Sequence, residues 1–63
     1  PRLKAMVTND NMPAMAFYQR RGFRFSALYA EAIEAYRSVI PTIIKTGYEG
    51  IPVRDALELE IDL

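Results

Sequence analysis

Few side chains in this 63-residue sequence can do chemistry, and most of them lie close together. There is no Cys and no His, so nucleophilic thiols, imidazole bases and the usual zinc, copper and iron ligands are excluded; no metal is expected. What remains is Tyr18, Asn11, a set of carboxylates and several arginines. A phenol is mostly protonated at neutral pH and can donate a proton. A side-chain amide offers both a donor and an acceptor, which suits an amide-rich ligand or a free helix end. Glu31 and Glu34 are the candidate carboxylate bases, although their place on a helix reads first as solvated. By periodicity alone Tyr18 is a core aromatic and Asn11 a cap.

The elements that must position these groups follow from the pattern of the chain. Arg2–Val7 alternates, with Leu3, Ala5 and Val7 on one face and Arg2 and Lys4 on the other, which predicts a half-buried strand. Thr8, Asn9, Asp10 and Asn11 are turn and capping types, and Pro13 suits a first helical turn. Ala14, Phe17, Tyr18 and Arg21 share one helical face, with Phe17 read as a core residue facing the sheet. Gly22 is the expected left-handed stop.

Phe23–Tyr29 then reads as a second strand, with Phe23, Phe25, Ala27 and Tyr29 on one face. Ala30–Val39 reads as a helix ended by Pro41. The stretch 41–52 is loop, with a short helical turn near Ile43 and Ile44. Leu57–Leu63 is the clearest strand, alternating Leu57, Leu59, Ile61 and Leu63 with Glu58, Glu60 and Asp62. Its acidic face fits best between two strands carrying Arg2, Lys4 and Arg24, since unlike charges on adjacent strands favour pairing by about 0.2–1 kcal/mol per pair. The last strand is therefore expected to be central.

The run Asn11-x-x-Ala14-x-x-Phe17-Tyr18-x-x-x-Gly22-Phe23 resembles the C-terminal half of the GNAT superfamily of acyl-CoA-dependent N-acyltransferases. The closing GIPVRDALELEIDL resembles one bacterial branch of it. The resemblance implies an α+β fold, β-α-β-α-β, with a three-stranded mixed sheet and the last strand central. It implies acetyl transfer from acetyl-CoA, as co-substrate, to an amine. The catalytic residue would be Tyr18, giving a proton to the departing thiolate, and Asn11 would bind the cofactor's pantetheine arm. Tyr29, Tyr36 and Tyr48 would line an acceptor pocket, and Arg20 and Arg21, which read as solvated helix-end charges, could approach cofactor phosphates.

The family's pyrophosphate loop, Gln/Arg-x-x-Gly-x-Gly/Ala, has no counterpart here, because Gly occurs only at 22, 47 and 50. Residues 1–63 are thus expected to be a single partial domain, inactive alone and lacking the N-terminal half that grips pyrophosphate. The competing reading is a non-enzymatic, self-associating remnant. Either way the expected partner is a second copy or the missing half, since so short a chain has a marginal core. Eight basic residues balance eight acidic ones, which argues against nucleic acid. No apolar run suits a membrane span, and the lack of Cys fits a cytoplasmic protein.

Overall fold

The computed structural model describes all residues, Pro1–Leu63. Strand β1 (Arg2–Thr8) leads into helix α1 (Met12–Arg20) and strand β2 (Arg24–Tyr29). Helix α2 (Ala32–Val39), a 3₁₀ turn (Tyr48–Gly50) and strand β3 (Ala56–Asp62) complete the chain. The sheet order is β1-β3-β2. No helix is long and apolar enough to cross a membrane.

The sheet corrects the expected mixed architecture of a GNAT C-terminal half: both ladders are antiparallel. The reason is topological. β1 and β2 run the same way, joined through α1, but β3 lies between them and opposes both, so the parallel pair never shares a hydrogen bond. The charges of β3 meet opposite charges across the ladder, with Arg2 bonded to Glu60 and Asp62, and Lys4 near Glu58. These pairs are solvated and contribute little each.

A second correction concerns β2. Its register shifts between Phe25 and Ala27, so Ser26 is a bulge. Phe25 pairs with Leu59 on the apolar face, but Ala27 pairs with Glu58 and Tyr29 with Ala56 on the opposite one. One extra residue turns every later side chain to the other face of a period-two strand. Phe23, Phe25, Ala27 and Tyr29 therefore do not share a face.

Two small cores result. Val7, Phe23 and Leu59 form one, with Ala14, Met15 and Tyr18 of α1 packed on it. Ile33, Val53 and Ala56 form the other. Leu59 and Ala56 are three residues apart on β3, so the cores lie on opposite faces of the sheet. Phe17 is exposed rather than core: the packed arc of α1 is centred on Ala14, Met15 and Tyr18, which leaves Phe17 under the Arg21 guanidinium, 4.4 Å from its ring centroid.

The molecule is a flat slab of 36 × 24 × 15 Å. Its accessible surface of 4538 Å² exceeds the roughly 4,100 Å² expected of a folded monomer of this mass. Its radius of gyration, 12.4 Å, exceeds the roughly 10.6 Å of a compact chain of this length. Only seven residues are buried, so the apolar surface displayed by Leu3, Met6, Phe25 and Leu28 has nothing within the chain to cover it.

Candidate functional site

Helix α1 carries both candidate site residues, and its two ends fix them. At the start, Asn11 is the N-cap: its Oδ1 accepts the Ala14 N–H at 3.1 Å. Its Nδ2 makes no bond within the chain and is free to donate. At the far end the helix closes in a Schellman motif. The Phe23 N–H donates to the Tyr18 carbonyl and the Gly22 N–H to the Gln19 carbonyl, both at 3.0 Å. Gly22 takes φ +96°, where a side chain would be strained.

The same motif seats the Tyr18 side chain. Its ring meets Phe23 edge-on, with centroids 5.1 Å apart, which is the apolar contact that such helix stops carry. It also meets Phe17 edge-on at 5.3 Å. The spacing Tyr18-x-x-x-Gly22-Phe23 thus has a folding role of its own: it stops the helix and anchors the ring on the Val7–Phe23–Leu59 core. The Tyr18 hydroxyl makes no hydrogen bond within the chain and is not a buried unsatisfied group. It is a half-buried ring with a free, accessible donor.

Asn11 caps the start of α1 and Tyr18 follows seven residues on, about 10 Å along the axis; between them Ala14 and Met15 pack on the core.

The other candidates do not converge on Asn11 or Tyr18. Glu34 pairs with Arg37. Glu31 is exposed at φ 59°, with its N–H bonded to Asp55 Oδ1 at 2.8 Å; its left-handed backbone delays α2 to Ala32. Tyr29 reaches Glu58 at 3.4 Å on the face opposite α1. Tyr36 and Tyr48 are exposed, and none of the three lines the single open cavity of about 420 Å³. That cavity, at Gly22, Arg24, Phe25, Glu60, Ile61 and Asp62, contains neither Asn11 nor Tyr18. Arg20 and Arg21 are exposed, and no cluster of His, Cys, Asp or Glu is arranged to hold a metal ion.

The turn before α1 does more than its turn-forming residue types suggest. Asn9 Oδ1 accepts the N–H groups of Arg54 and Asp55 at 2.9 and 3.0 Å, and its Nδ2 donates to the Pro52 carbonyl at 2.8 Å. Asp10 is 9% exposed, the only buried charged residue. Its carboxylate accepts the Thr8 hydroxyl at 2.5 Å and the Tyr48 N–H at 3.1 Å. The Thr8 hydroxyl, aided by the Tyr48 N–H, holds this carboxyl below its ordinary range against the opposing effect of burial.

Gly47 lies so close to Asp10 that a Cβ there would overlap its Oδ2. Arg37, its side chain 10% exposed, donates to the carbonyls of Ile44 and Val53, both at 2.9 Å. Asn9 and Asp10 peg the long 40–55 segment to the N-terminal end of α1, and Arg37 pegs it to α2. The chain turns at Ile40–Ile43, where the Ile43 N–H donates to the Ile40 carbonyl at 3.2 Å, and the 3₁₀ turn lies at Tyr48–Gly50, where the Tyr48 N–H is held by Asp10.

On the face of the sheet away from α1, Glu58 is held by Ser26 Oγ at 2.8 Å, with Lys4 3.7 Å away. The Ser26 hydroxyl first, and then the Lys4 charge, hold its carboxyl below the ordinary range although burial opposes them.

The chain is similar to two longer bacterial proteins. It is 43% identical over 56 residues to the uncharacterized protein YdhI of Bacillus subtilis (strain 168). It is also 43% identical over 61 residues to the uncharacterized protein YxbD of the same organism. These matches take in 89% and 97% of this chain but 35% and 38% of the relatives. The chain thus spans less than two-fifths of the length of the curated relatives it matches. No family model matches it. No solved structure matches it.

Proposed function

We propose that these 63 residues form the proton-donating part of an acyl-CoA-dependent N-acetyltransferase related to the GNAT superfamily. The observation that carries the proposal is the Tyr18 hydroxyl: a donor without a partner in the chain, on a ring fixed by the stop of α1, the helix whose start Asn11 caps. An amine nitrogen attacks the thioester carbonyl carbon of acetyl-CoA. The carbon–sulfur bond breaks, its electron pair stays on sulfur, and the Tyr18 hydroxyl protonates that sulfur. The amine's surplus proton passes to solvent, and the phenolate regains its proton from water. Asn11 hydrogen-bonds the amide-rich arm of the cofactor.

Nothing in these residues cradles a pyrophosphate, and orientation of the thioester is a large share of the rate. The pyrophosphate is held by polypeptide beyond this stretch, for which the greater length of YdhI and YxbD leaves room. The 63-residue chain alone is expected to release no measurable thiol from acetyl-CoA.

The test is Tyr18→Phe in a polypeptide that carries the chain behind a pyrophosphate-binding segment. Turnover in a thiol-release assay falls by about 10²-fold or more, while acetyl-CoA affinity by calorimetry stays nearly constant. Stability of the 63-residue chain changes by under about 0.5 kcal/mol, because the hydroxyl makes no bond in it. Unchanged turnover in Tyr18→Phe returns Tyr18 to a purely structural role.

A further inference from the structure

The two edges of the sheet differ. β2 is interrupted by the Ser26 bulge, a device that blunts an edge. β1 pairs with β3 in unbroken register over Arg2–Thr8 and has no bulge and no Pro. Its backbone orientation can be read from its ends. The Leu63 N–H donates to the Pro1 carbonyl and the Asn9 N–H to the Asp55 carbonyl, so the odd-numbered residues of β1 bond to β3. The N–H and C=O groups of Arg2, Lys4, Met6 and Thr8 therefore point away from the sheet. Of these, only the Thr8 carbonyl has a partner, the Asn11 N–H at 3.0 Å.

We infer that this edge pairs with the same edge of a second copy, antiparallel about a two-fold axis through Ala5, to give a continuous six-stranded sheet. The register is selected by the strand itself. Outward groups must face outward groups, so even residues must oppose even residues. With Ala5 on the axis, Arg2 lies opposite the partner's Thr8, Lys4 opposite the partner's Met6, and Leu3 opposite the partner's Val7. This is the longest ladder the edge allows. It sets no like charges directly opposite, and it lays a strand beside Leu3 on one face of the sheet and beside Met6 on the other, residues that are 51% and 55% exposed. Sliding two residues one way sets Lys4 against the partner's Lys4, which is destabilising. Sliding two residues the other way drops Arg2 from the ladder.

The favoured occupant is a second copy because the edge is complementary to itself and the slab is short of buried apolar surface. The proposal is independent of the acyltransfer reading and concerns the association of the 63-residue chain.

Sedimentation equilibrium and one cysteine variant test it. The wild-type chain is expected to be dimeric at tens of micromolar. Ala5→Cys, the sole cysteine in a chain that has none, is expected to oxidise to a disulfide-linked dimer. In a non-hydrogen-bonded pair the Cα atoms stand about 4.5 Å apart, within disulfide range. Ser26→Cys, on the blunted edge, is expected to remain a free thiol. Met6→Pro removes an outward N–H without touching the β1–β3 ladder and is expected to weaken the dimer at least about tenfold. A monomeric wild-type chain at about 100 µM would overturn the proposal. So would a dimer in which Ala5→Cys does not cross-link, which would point to another surface or register.

Discussion

Asp10 and Gly47 are complementary, and their coupling can be measured. Asp10→Ala removes a nearly buried carboxylate together with its bonds from the Thr8 hydroxyl and the Tyr48 N–H. Hydrogen bonds to a charged group contribute about 1.5–3 kcal/mol each and are not additive, so a loss of about 2–4 kcal/mol is expected. The whole chain should be stable by about 3–9 kcal/mol, at roughly 0.05–0.15 kcal/mol per residue, so this is a large share.

Gly47→Ala meets the same carboxylate from the other side. Its φ of −117° is not left-handed, and the overlap with Asp10 is expected to cost about 1–3 kcal/mol, as at other overpacked sites. In the double variant that overlap disappears, leaving Val53 Cγ2 as a neighbour at 3.1 Å. The double variant should therefore be more stable than the sum of the singles predicts, by about 1–2 kcal/mol. Urea unfolding followed by circular dichroism, at one fixed protein concentration, gives all four corners of the cycle. Additivity within about 0.3 kcal/mol would refute the contact, and an Asp10→Ala loss below about 0.5 kcal/mol would refute the anchoring role of Asp10.

Two further outcomes follow from the packing and the charges. Leu59 is fully buried at 0% exposure, so Leu59→Ala should cost about 2–5 kcal/mol and unfold much of the population at 37 °C; a loss under 1 kcal/mol by urea titration would contradict the placement of the core. Asp10 and Glu58 both have lowered carboxyl pKa values in the fold, so the stability they contribute is fully present above the ordinary carboxylate range, near pH 4, and is lost as pH falls through the lowered values. The urea midpoint should be flat from about pH 5 to 8 and fall below pH 4, with a shallower fall in Asp10→Asn; an equal fall in that variant would exclude Asp10 as a contributor.

Much of the framework is legible in the residues. Alternation marks β1 and β3, the Asn-rich turn and Gly22 bracket α1, and the charges of Arg2, Lys4 and Glu60 match across the ladder. The mixed sheet was an expectation of resemblance, and it failed because β3 separates the two strands that run in parallel. The Ser26 bulge leaves one faint trace: the alternation of Phe25-Ser26-Ala27 breaks at Leu28, which the shifted register sets opposite Leu57, and no Gly marks the interruption. Arg37 is silent, because an arginine on a short amphipathic helix reads as solvated until a loop folds over it. Asp10 reads as a turn former, and only the return of Tyr48 makes it buried. Asn11 and Tyr18 were candidates through the resemblance, while the strong local rules of helix ends supply their structural roles, a cap and a helix stop.

The division of the apolar residues into two trios on opposite faces of one sheet bears on how the molecule opens. Neither trio is large, and they meet only through the backbone of β3 and the polar pegs at Asn9 and Asp10. The half built on Ile33, Val53 and Ala56, with α2 and the segment that follows it, can therefore loosen while α1 remains docked. In amide hydrogen exchange the N–H groups of Ala35 and Val53 should exchange through a lower-energy opening than those of Leu59. The molecule would then behave as two cooperative units sharing a strand, with Tyr18 held in the slower one.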